Sequence, residues 1–442
     1  MPKAREVLCW RSIAAADGAV FRDPSRNVQV SAQMTPGTSP DPISPAGGVV
    51  ILSLNSGSSS RKFSLYRLAG STTQLLAEGA AEQVGERGGR LWIRDRKAKA
   101  LVGSDRDWSD RGAVVPALLD EVLKLVPNPP DAVGHRIVHG GSAHRAPELV
   151  TPDLLAALRG MIAFAPLHLP AELDAIDAVA ARFPATPQVV CFDTAFHARM
   201  PAVAARLALP RALWDAGIRR YGFHGISYEY IMRQLGAAAP ARLIIAHLGS
   251  GASMAAVRDG APIDTTMGFT PAGGFMMGTR GGDLDPGVIV YLIKEMGYNA
   301  DRLGELVNFQ SGLLGVSGLS ADVKTLLGRE ADLPEAALAL EMFCYQARKQ
   351  IGAYAAALEG LDLLVFTGGI GEHAAPIRAR ICAGLEHLGV EIDAARNAAN
   401  QDTISTRRGR CAVRVIPTNE DLMIALHTER IFRGLPAAAP KA

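Results

Sequence analysis

Residues 49–66, VVILSLNSGSSSRKFSLY, decide the fold. The apolar run 49–54 predicts a buried strand, and a second strand carrying Lys62 follows the small-residue turn 55–60. A strand that ends in such a turn exposes backbone N–H groups, which can bind an anion such as phosphate. Ser58 and Ser60 add hydroxyl donors, and Lys62 adds a positive charge. Asn55 offers an amide oxygen that suits hydrated Mg²⁺. A plain β-hairpin with a Ser-rich turn is the alternative.

The composition is that of an ordinary globular protein with two or three domains. Of 442 residues, 48% are hydrophobic and 20% are charged, and the net charge is +2. That charge gives no electrostatic case for binding nucleic acid. The five cysteines are widely spaced without a CxxC pair, which argues against a disulfide framework and a zinc site. No apolar run reaches transmembrane length and no signal peptide is apparent, so we expect no membrane partner and a cytoplasmic location.

The first 48 residues differ from the rest of the chain. They are rich in Ser, Pro, Asp and Ala and have no sustained hydrophobic period. We interpret residues 1–48 as a disordered extension, or as upstream sequence translated from a misassigned start. A transit peptide is disfavoured because Glu6, Asp17 and Asp23 interrupt its positive charge.

From residue 49 onward, strands and helices alternate. Residues 85–96 are interpreted as a Gly-rich, charged turn region. Hydrophobic patterns predict strands at 132–139, 188–192, 242–248, 361–366 and 413–416, and helices at 113–126, 152–162, 171–183, and from 227, 374 and 420. Residues 264–286 form a long Gly-rich and Met-rich segment, and loops of that length in compact domains are usually functional.

The opening pattern occurs a second time. Residues 242–253, RLIIAHLGSGAS, again combine an apolar strand, a Gly/Ser turn and the start of another strand. A third glycine-rich strand end follows at 367–372, TGGIGE. These repeats predict a duplicated α/β architecture with a nucleotide between its two halves, because ligands of open α/β sheets bind outside the carboxyl ends of the strands.

Ten stretches, in order, resemble the acetate and butyrate kinase family: NSGSSSRKFSLY, GHRIVHGG, APLHLP, FDTAFH, RRYGFHGIS, HLGSGAS, DTTMGFTPAGGFMMGTRGGDLDP, SGLLGVSGLS, VFTGGIGE and VIPTNEDLMIA. The resemblance runs from about residue 49 to the C-terminal helix. It implies the duplicated actin-like, sugar-kinase-like and Hsp70-like ATPase fold, which is ribonuclease H-like, and a homodimer. The N-terminal domain would be 49–197, completed by the helix 421–442, and 198–420 would bind the nucleotide. The implied reaction is the reversible, direct in-line transfer of a phosphoryl group from ATP to acetate with Mg²⁺, for which Mn²⁺ can substitute, giving acetyl phosphate and ADP.

The resemblance also implies a role for individual residues. Arg136 and Arg280 would bracket acetate and the transferring phosphoryl group, to which the planar, permanently charged guanidinium is suited. His224 would stabilise the transition state together with Arg280. Asp193 would orient Arg and substrate or act as a base, and we favour orientation because acetate is ionised at pH 7. The remaining implied residues are an apolar acid pocket of Val138, Leu167, Phe223 and Pro271; ATP contacts at Lys62, His247, Leu248, Gly249, Ser250, Gly251, Asp322, Val323, Lys324, Gly369, Ile370, Gly371, Glu372 and His373; Mg²⁺ ligands at Asn55 and Glu420; and support from Ser58, Ser60 and His168.

The chain departs from the family pattern at several positions. Val323-Lys324 stands where Phe-Arg is common, Ser250 replaces the usual Asn, Tyr228 a second His, and His373 an Asn. None of these changes removes a charge that the chemistry requires. Three alternatives stay open: a propionate or other short-chain acid kinase, a regulatory or chaperone-like ATPase of the same fold, and an inactive homologue.

Overall fold

A computed structural model of the chain describes residues 48–56, 60–85, 88–126 and 128–435. The N-terminal extension predicted for 1–48 lies outside the described residues except for Gly48. Ser58 also lies outside them, as do residues 436–442 of the segment assigned to the C-terminal helix.

The first sheet contains eight strands of the described chain. They are β1 Val49–Ser56, β2 Ser60–Ala69, β3 Thr72–Glu82, β4 Gly89–Asp95, β5 Ala100–Arg106, β6 Ala132–Ile137, β7 Glu148–Leu149 and β8 Gln188–Phe192. Their order across the sheet is β5-β4-β3-β2-β1-β6-β8-β7. The opening stretch is an antiparallel pair, with Leu54 opposite Phe63 and Asn55 opposite Lys62, and β1 pairs with β6 in parallel.

The second sheet contains five strands of the described chain. They are β9 Arg242–Leu248, β10 Ala252–Arg258, β11 Ala261–Thr265, β12 Leu363–Thr367 and β13 Ala412–Val415. Their order is β11-β10-β9-β12-β13. β9 pairs with β10 in antiparallel and with β12 in parallel orientation.

The two sheets share one topology. In the first, β3-β2-β1 are antiparallel neighbours, and β6 and β8 then continue in parallel. In the second, β11-β10-β9 are antiparallel neighbours, and β12 and β13 continue in parallel. The predicted duplication of an α/β unit is therefore confirmed, and the two glycine-bearing hairpins occupy equivalent places.

Helices cover the sheets and connect the strands. They are α1 Val114–Leu125, α2 Pro152–Gly160, α3 Leu169–Arg182, α4 Ala202–Ala205, α5 Arg211–Asp215, α6 Gly225–Leu235, α7 Pro286–Met296, α8 Ala300–Phe309, α9 Gly312–Ser317, α10 Val323–Leu327, α11 Pro334–Ala357, α12 Gly368–His373, α13 Ala375–Cys382, α14 Ala394–Ala398 and α15 Glu420–Phe432. Their starts follow ordinary capping chemistry. Thr151, for example, accepts a hydrogen bond from Leu154 N at 3.2 Å, and Pro152 is the first residue of α2.

The prediction of a turn region over residues 85–96 was wrong for most of its length. Residues 89–95 are β4, in which charged residues alternate with buried Leu91 and Ile93. This alternation with a period of two is typical of a strand with one solvated face. Gly89 is required by packing, because a Cβ there would lie 2.2 Å from Cδ1 of Trp108.

The C-terminal helix α15 packs on the first sheet, although it follows the second sheet in sequence. Its residues Ile424 and Ala425 are buried against strands of the first sheet. The approach is close at Gly134 of β6, where a Cβ would lie 2.1 Å from Oγ1 of Thr428. Helix α15 therefore brings the loop 416–419 and Glu420 to the carboxyl edge of β1.

Candidate active site

Arg136 and Asp193 form an ion pair at the ends of two neighbouring parallel strands. Arg136 lies in β6 and Asp193 directly follows β8. Nε of Arg136 donates to Oδ2 of Asp193 at 3.0 Å, and Nη2 donates to the same oxygen. Burial raises the pKa of Asp193, and Arg136 opposes that shift. Burial lowers the pKa of Arg136, but the charges of Asp193, Glu420 and Glu172 and the hydrogen bond to Asp193 together outweigh burial, so the pKa is raised and the guanidinium stays charged. Asp193 thus orients Arg136.

A second carboxyl group, Glu172 of α3, lies beneath this pair and was missed from the sequence. Its Oε2 accepts a hydrogen bond from Val138 N at 2.9 Å, just after the strand that carries Arg136. Its Oε1 is buried and has no hydrogen-bond partner among the described residues. Burial raises the pKa of Glu172 to about 8, against the lowering effect of Arg136. In the sequence Glu172 occupies an ordinary position of an amphipathic helix. Only the folded structure shows that its carboxyl group is buried.

His224 immediately precedes α6 and has an unusual backbone. Its φ of +58° is left-handed, a conformation that histidine tolerates better than most residues. The next residue, Gly225, donates its N–H to the Asp193 carbonyl at 2.9 Å. The His224 ring stacks on His247, with centroids 4.3 Å apart. Burial, with the nearby His247, Arg136 and other positive groups, lowers the pKa of His224 well below its usual value, so the ring is neutral at pH 7.

The turn 249–251 between β9 and β10 brings the catalytic candidates together. A Cβ on Gly251 would lie 3.3 Å from Nη1 of Arg280 and 3.4 Å from Nε2 of His224. Gly278 N donates to the Ser250 carbonyl at 3.1 Å, which fixes the long loop against the turn. The prediction that 264–286 is a functional loop thus gains a structural basis, because the loop carries Arg280 to His224.

One cavity lies beside Arg280, and we call it the arginine cavity. Its volume is about 570 Å³, and its lining includes Leu167, His168, Pro271 and Arg280. Burial and the charges of Arg136, Arg280 and Arg61 lower the pKa of His168 to about 3, so this ring is also neutral. The other two predicted members of the acid pocket, Val138 and Phe223, are 2% and 1% exposed and pack in the hydrophobic core together with Ala165, which lines this cavity.

A second cavity of about 580 Å³, the acidic cavity, lies beside the opening hairpin. Its lining includes Asn55, Lys62, His247, Glu420 and Asp421. Nδ2 of Asn55 donates to Oε2 of Glu420 at 3.0 Å and approaches Oδ1 of Asp421 at 3.4 Å. Asp421 was not predicted, although it is the second of two adjacent acids in the sequence.

The donors in the acidic cavity fit a hard cation. Carboxylate and amide oxygens are the ligands that Mg²⁺ prefers, and Mg²⁺ usually keeps several waters. The described residues contain no cluster of three or more His, Cys, Asp or Glu side chains that could enclose a metal. The chemistry of Asn55, Glu420 and Asp421 therefore suits a partly hydrated Mg²⁺ and not a closed protein cage.

The glycine-rich end of β12 begins a short helix. Gly368 and Gly369 open α12, and a Cβ on Gly368 would lie 2.7 Å from the Leu248 carbonyl oxygen. Glu372 Oε1 accepts from Gly368 N at 2.9 Å and from Thr418 N at 3.1 Å, which ties α12 to the loop before α15. Ile370 is half-buried, Gly371 is buried and His373 is exposed.

The predicted contacts at 322–324 divide between surface and core. Asp322 caps α10 by accepting from Thr325 N at 3.0 Å. Val323 is buried in the core, and Lys324 is exposed. Only Asp322 and Lys324 therefore present side chains at the surface. Ser60 of the opening hairpin is half-buried at the start of β2.

The structure thus links His247, His224 and Arg280 into one connected set that extends from one cavity to the other. His247 lines the acidic cavity and stacks on His224, which lies beside Arg280, and Arg280 lines the arginine cavity. Among the helices of the described chain, none is long and apolar enough to cross a bilayer.

Two α/β halves of this topology, with charged groups and neutral histidines at glycine-rich strand ends, define a phosphotransferase of the actin-like, sugar-kinase-like ATPase fold. The chain belongs to the acetokinase family, whose family model matches residues 50–426.

Relatives of known name support this assignment over nearly their whole length. An acetate kinase of Rhodopseudomonas palustris is 45% identical over 395 residues, which are 87% of this chain and 99% of the relative. The crystal structure of Porphyromonas gingivalis acetate kinase superposes with a TM-score of 0.77 at 38% identity, covering 87% of this chain and 99% of that one. A propionate kinase from Francisella tularensis superposes with a TM-score of 0.79 at 37% identity, covering 86% and 99%.

Proposed function

We propose that the chain transfers the γ-phosphoryl group of ATP to acetate by direct in-line displacement, giving acetyl phosphate and ADP reversibly. The observation that carries this proposal is the convergence of Arg280 and Nε2 of His224 on the Gly251 turn. Phosphoryl transfer needs mainly positioning and charge neutralisation, and this convergence supplies both.

Three side chains would act on the reacting groups, and two would support them. Arg136, held by Asp193, would bind the acetate carboxylate, and Arg280 would bind the transferring phosphoryl group. His224, as a neutral hydrogen-bond donor, would strengthen its contact as charge spreads over the phosphoryl oxygens. Asp193 would orient Arg136. His168, neutral at the arginine cavity, would support the same pocket.

Mg²⁺ would be held by Asn55 and Glu420, with Asp421 beside them, and Mn²⁺ could replace it. When bound, the cation would neutralise charge on the phosphate chain of the nucleotide. The opening hairpin would contribute Lys62 and Ser60, together with Ser58 outside the described residues.

The nucleotide would lie against the glycine-rich strand ends of the second sheet. The contacts proposed for it are His247, Leu248, Gly249, Ser250, Gly251, Asp322, Val323, Lys324, Gly369, Ile370, Gly371, Glu372 and His373. The domain division at 49–197 and 198–420, with the C-terminal helix completing the first domain, belongs to the same proposal. So does a cytoplasmic location, where ATP is available.

Acetate is the preferred acid in this proposal, and propionate is the alternative. Val138, Phe223, Leu167 and Pro271 would surround the methyl group, with Val138 limiting the space for one more methylene. The similarity to a propionate kinase structure is the observation that supports propionate as the alternative acid. The substrate series described below separates the two acids.

A homodimer is also part of the proposal, and α7 is its best-supported interface. This helix, PGVIVYLIKEM, is strongly apolar, yet none of its residues is buried within the chain. Val290, Tyr291, Ile293 and Met296 are each about half exposed. A helix of this composition is normally covered, and a second copy of the chain supplies a matching apolar surface.

The test is acyl phosphate formation, measured as hydroxamate from acetate, MgATP and hydroxylamine. The full chain should produce hydroxamate, and Arg136→Ala and Arg280→Ala should each lower kcat/KM on the order of 10³-fold. Arg159→Ala, which removes an exposed ion pair with Asp177, is the matched control and should keep full activity. More than about a tenth of the activity in either site variant would mean that the site is misplaced.

A further inference from the structure

Two buried side chains, Ser253 and Tyr228, form a hydrogen-bonded path behind the ring of His224. Nδ1 of His224 lies 2.8 Å from Oγ of Ser253, which lies 2.5 Å from Oη of Tyr228. Tyr228 and Ser253 are both completely buried. Tyr228 lies on α6, one helical turn after His224, and Ser253 lies in β10. The hydrogen-bonded path therefore connects α6 and β10 to the His224 ring.

The hydrogen atoms in this path can be counted. Tyr228 carries one hydroxyl hydrogen, and its oxygen has no hydrogen-bond partner other than Ser253 within the described residues. Ser253 has one hydrogen and two acceptor positions. If Tyr228 donates to Ser253, and Ser253 donates to Nδ1 of His224, every buried group is satisfied. If the order is reversed, the Tyr228 hydrogen has no acceptor in the described part of the chain, and if Tyr228 and His224 both donate to Ser253, the Ser253 hydrogen has none there.

The direction of donation matters because the His224 ring is neutral. Its surroundings include the stacked His247, the guanidinium groups of Arg136 and Arg280, and His197, all of which disfavour a second ring proton. A neutral imidazole has a single N–H, so its tautomer decides which nitrogen can donate. With Nδ1 accepting from Ser253, the hydrogen must lie on Nε2, the nitrogen beside Arg280 and Gly251.

We propose that Ser253 and Tyr228 are positioning residues: Ser253 holds His224 in the tautomer with its hydrogen on Nε2, directed to the phosphoryl site, and Tyr228 fixes the Ser253 hydroxyl as the donor. This inference rests on the proposed function for its catalytic consequence but not for the tautomer itself. It gives a role to Tyr228, which stands where the family pattern usually has a second His.

The primary measurement is ¹⁵N NMR of the full chain with labelled histidine, with the His224 signals identified by their loss in His224→Gln. The wild type should have the proton on Nε2 and none on Nδ1. Ser253→Ala removes the hydroxyl group that donates to Nδ1 and should introduce the Nδ1–H tautomer, whereas Tyr228→Phe leaves that donor in place and should keep the hydrogen on Nε2. Tyr230→Phe, on the same helix, is the control and should leave both signals unchanged.

Kinetics give an independent measurement. Tyr228→Phe should lower kcat about 5- to 10-fold, the value of one neutral hydrogen bond, with KM for acetate and ATP unchanged. Ser253→Ala should have a similar effect, and adding Tyr228→Phe to it should cost nothing more, because both act through one path.

Three results would overturn the inference: a proton on Nδ1 of His224 in the wild type, an unchanged tautomer in Ser253→Ala, or an unchanged kcat in Tyr228→Phe. Failure of the proposed function looks different. In that case the wild type forms no hydroxamate, while Ser253→Ala still shifts the tautomer of His224.

Discussion

Replacing Glu172 with glutamine should make the protein less sensitive to alkaline pH. In the folded chain the pKa of Glu172 is about 8, against an ordinary value of 4.5. Between these values the folded state holds a proton that the unfolded state has released. Stability therefore falls as pH rises through this window, by about 1.4 kcal/mol per pH unit. From pH 5.5 to pH 8 the loss from this one group is roughly 3 kcal/mol.

The expected change in melting temperature follows from chain size. Unfolding entropy scales with length at roughly 2 cal/mol/K per residue, so 3 kcal/mol corresponds to about 3 °C if the chain melts as one unit. Glu172→Gln keeps an acceptor for Val138 N but cannot ionise. The wild type should therefore lose about 3 °C more than the variant between pH 5.5 and pH 8.

Differential scanning calorimetry at several pH values, without substrates, measures this difference. Glu335→Gln, which removes an exposed carboxyl group on α11, is the control and should follow the wild type. Parallel curves of melting temperature against pH for wild type and Glu172→Gln would refute the reasoning. They would mean that Glu172 titrates alike in both states.

Three further predictions concern the acid, the nucleotide and the assembly. Val138→Ala should raise the propionate-to-acetate ratio of kcat/KM by about 10-fold or more, and an unchanged ratio would make Val138 a core residue only. Ser250→Asn, which lengthens an exposed side chain at the nucleotide turn, should leave the Kd for ATP unchanged or lower it, and calorimetric titration giving weaker binding would contradict this. Ile293→Glu should convert a dimer to monomer in light scattering, with Lys294→Glu on the same helix as control; a wild-type monomer, or a dimer unaffected by Ile293→Glu, would reject the α7 interface.

Much of the fold could be predicted because its decisive signals are local. Apolar runs ending in glycine identified β1, β9 and β12, and the repetition of one pattern predicted the shared topology of the two sheets. The candidate site residues were implied by the family resemblance, and the strand predictions agree with their placement, since Arg136 lies in the predicted strand 132–139 and Asp193 directly follows the predicted strand 188–192. Parallel neighbouring strands bring such residues together without further information.

What could not be predicted depends on burial and on partners distant in sequence. The charged residues of β4 made this segment resemble a turn. Its buried face can be recognised only from the packing in the folded structure. Glu172 has no local signal, since an acid in the first turn of a helix is usually exposed. The link from Tyr228 through Ser253 requires α6 and β10 to be adjacent, and no pattern within either segment specifies that.

The position of α15 has a consequence for the order in which the chain folds during synthesis. The first sheet lacks the helix that covers β1 and β6 until residues 420–432 have been made. About 280 residues separate β6 from α15, so at typical synthesis rates those strands wait roughly 15 to 55 s. We expect ribosome-bound chains ending before residue 420 to expose Ile51 and Ala132 to proteases and chaperones. Pulse proteolysis of such stalled chains tests this, and resistance equal to that of the released chain would contradict it.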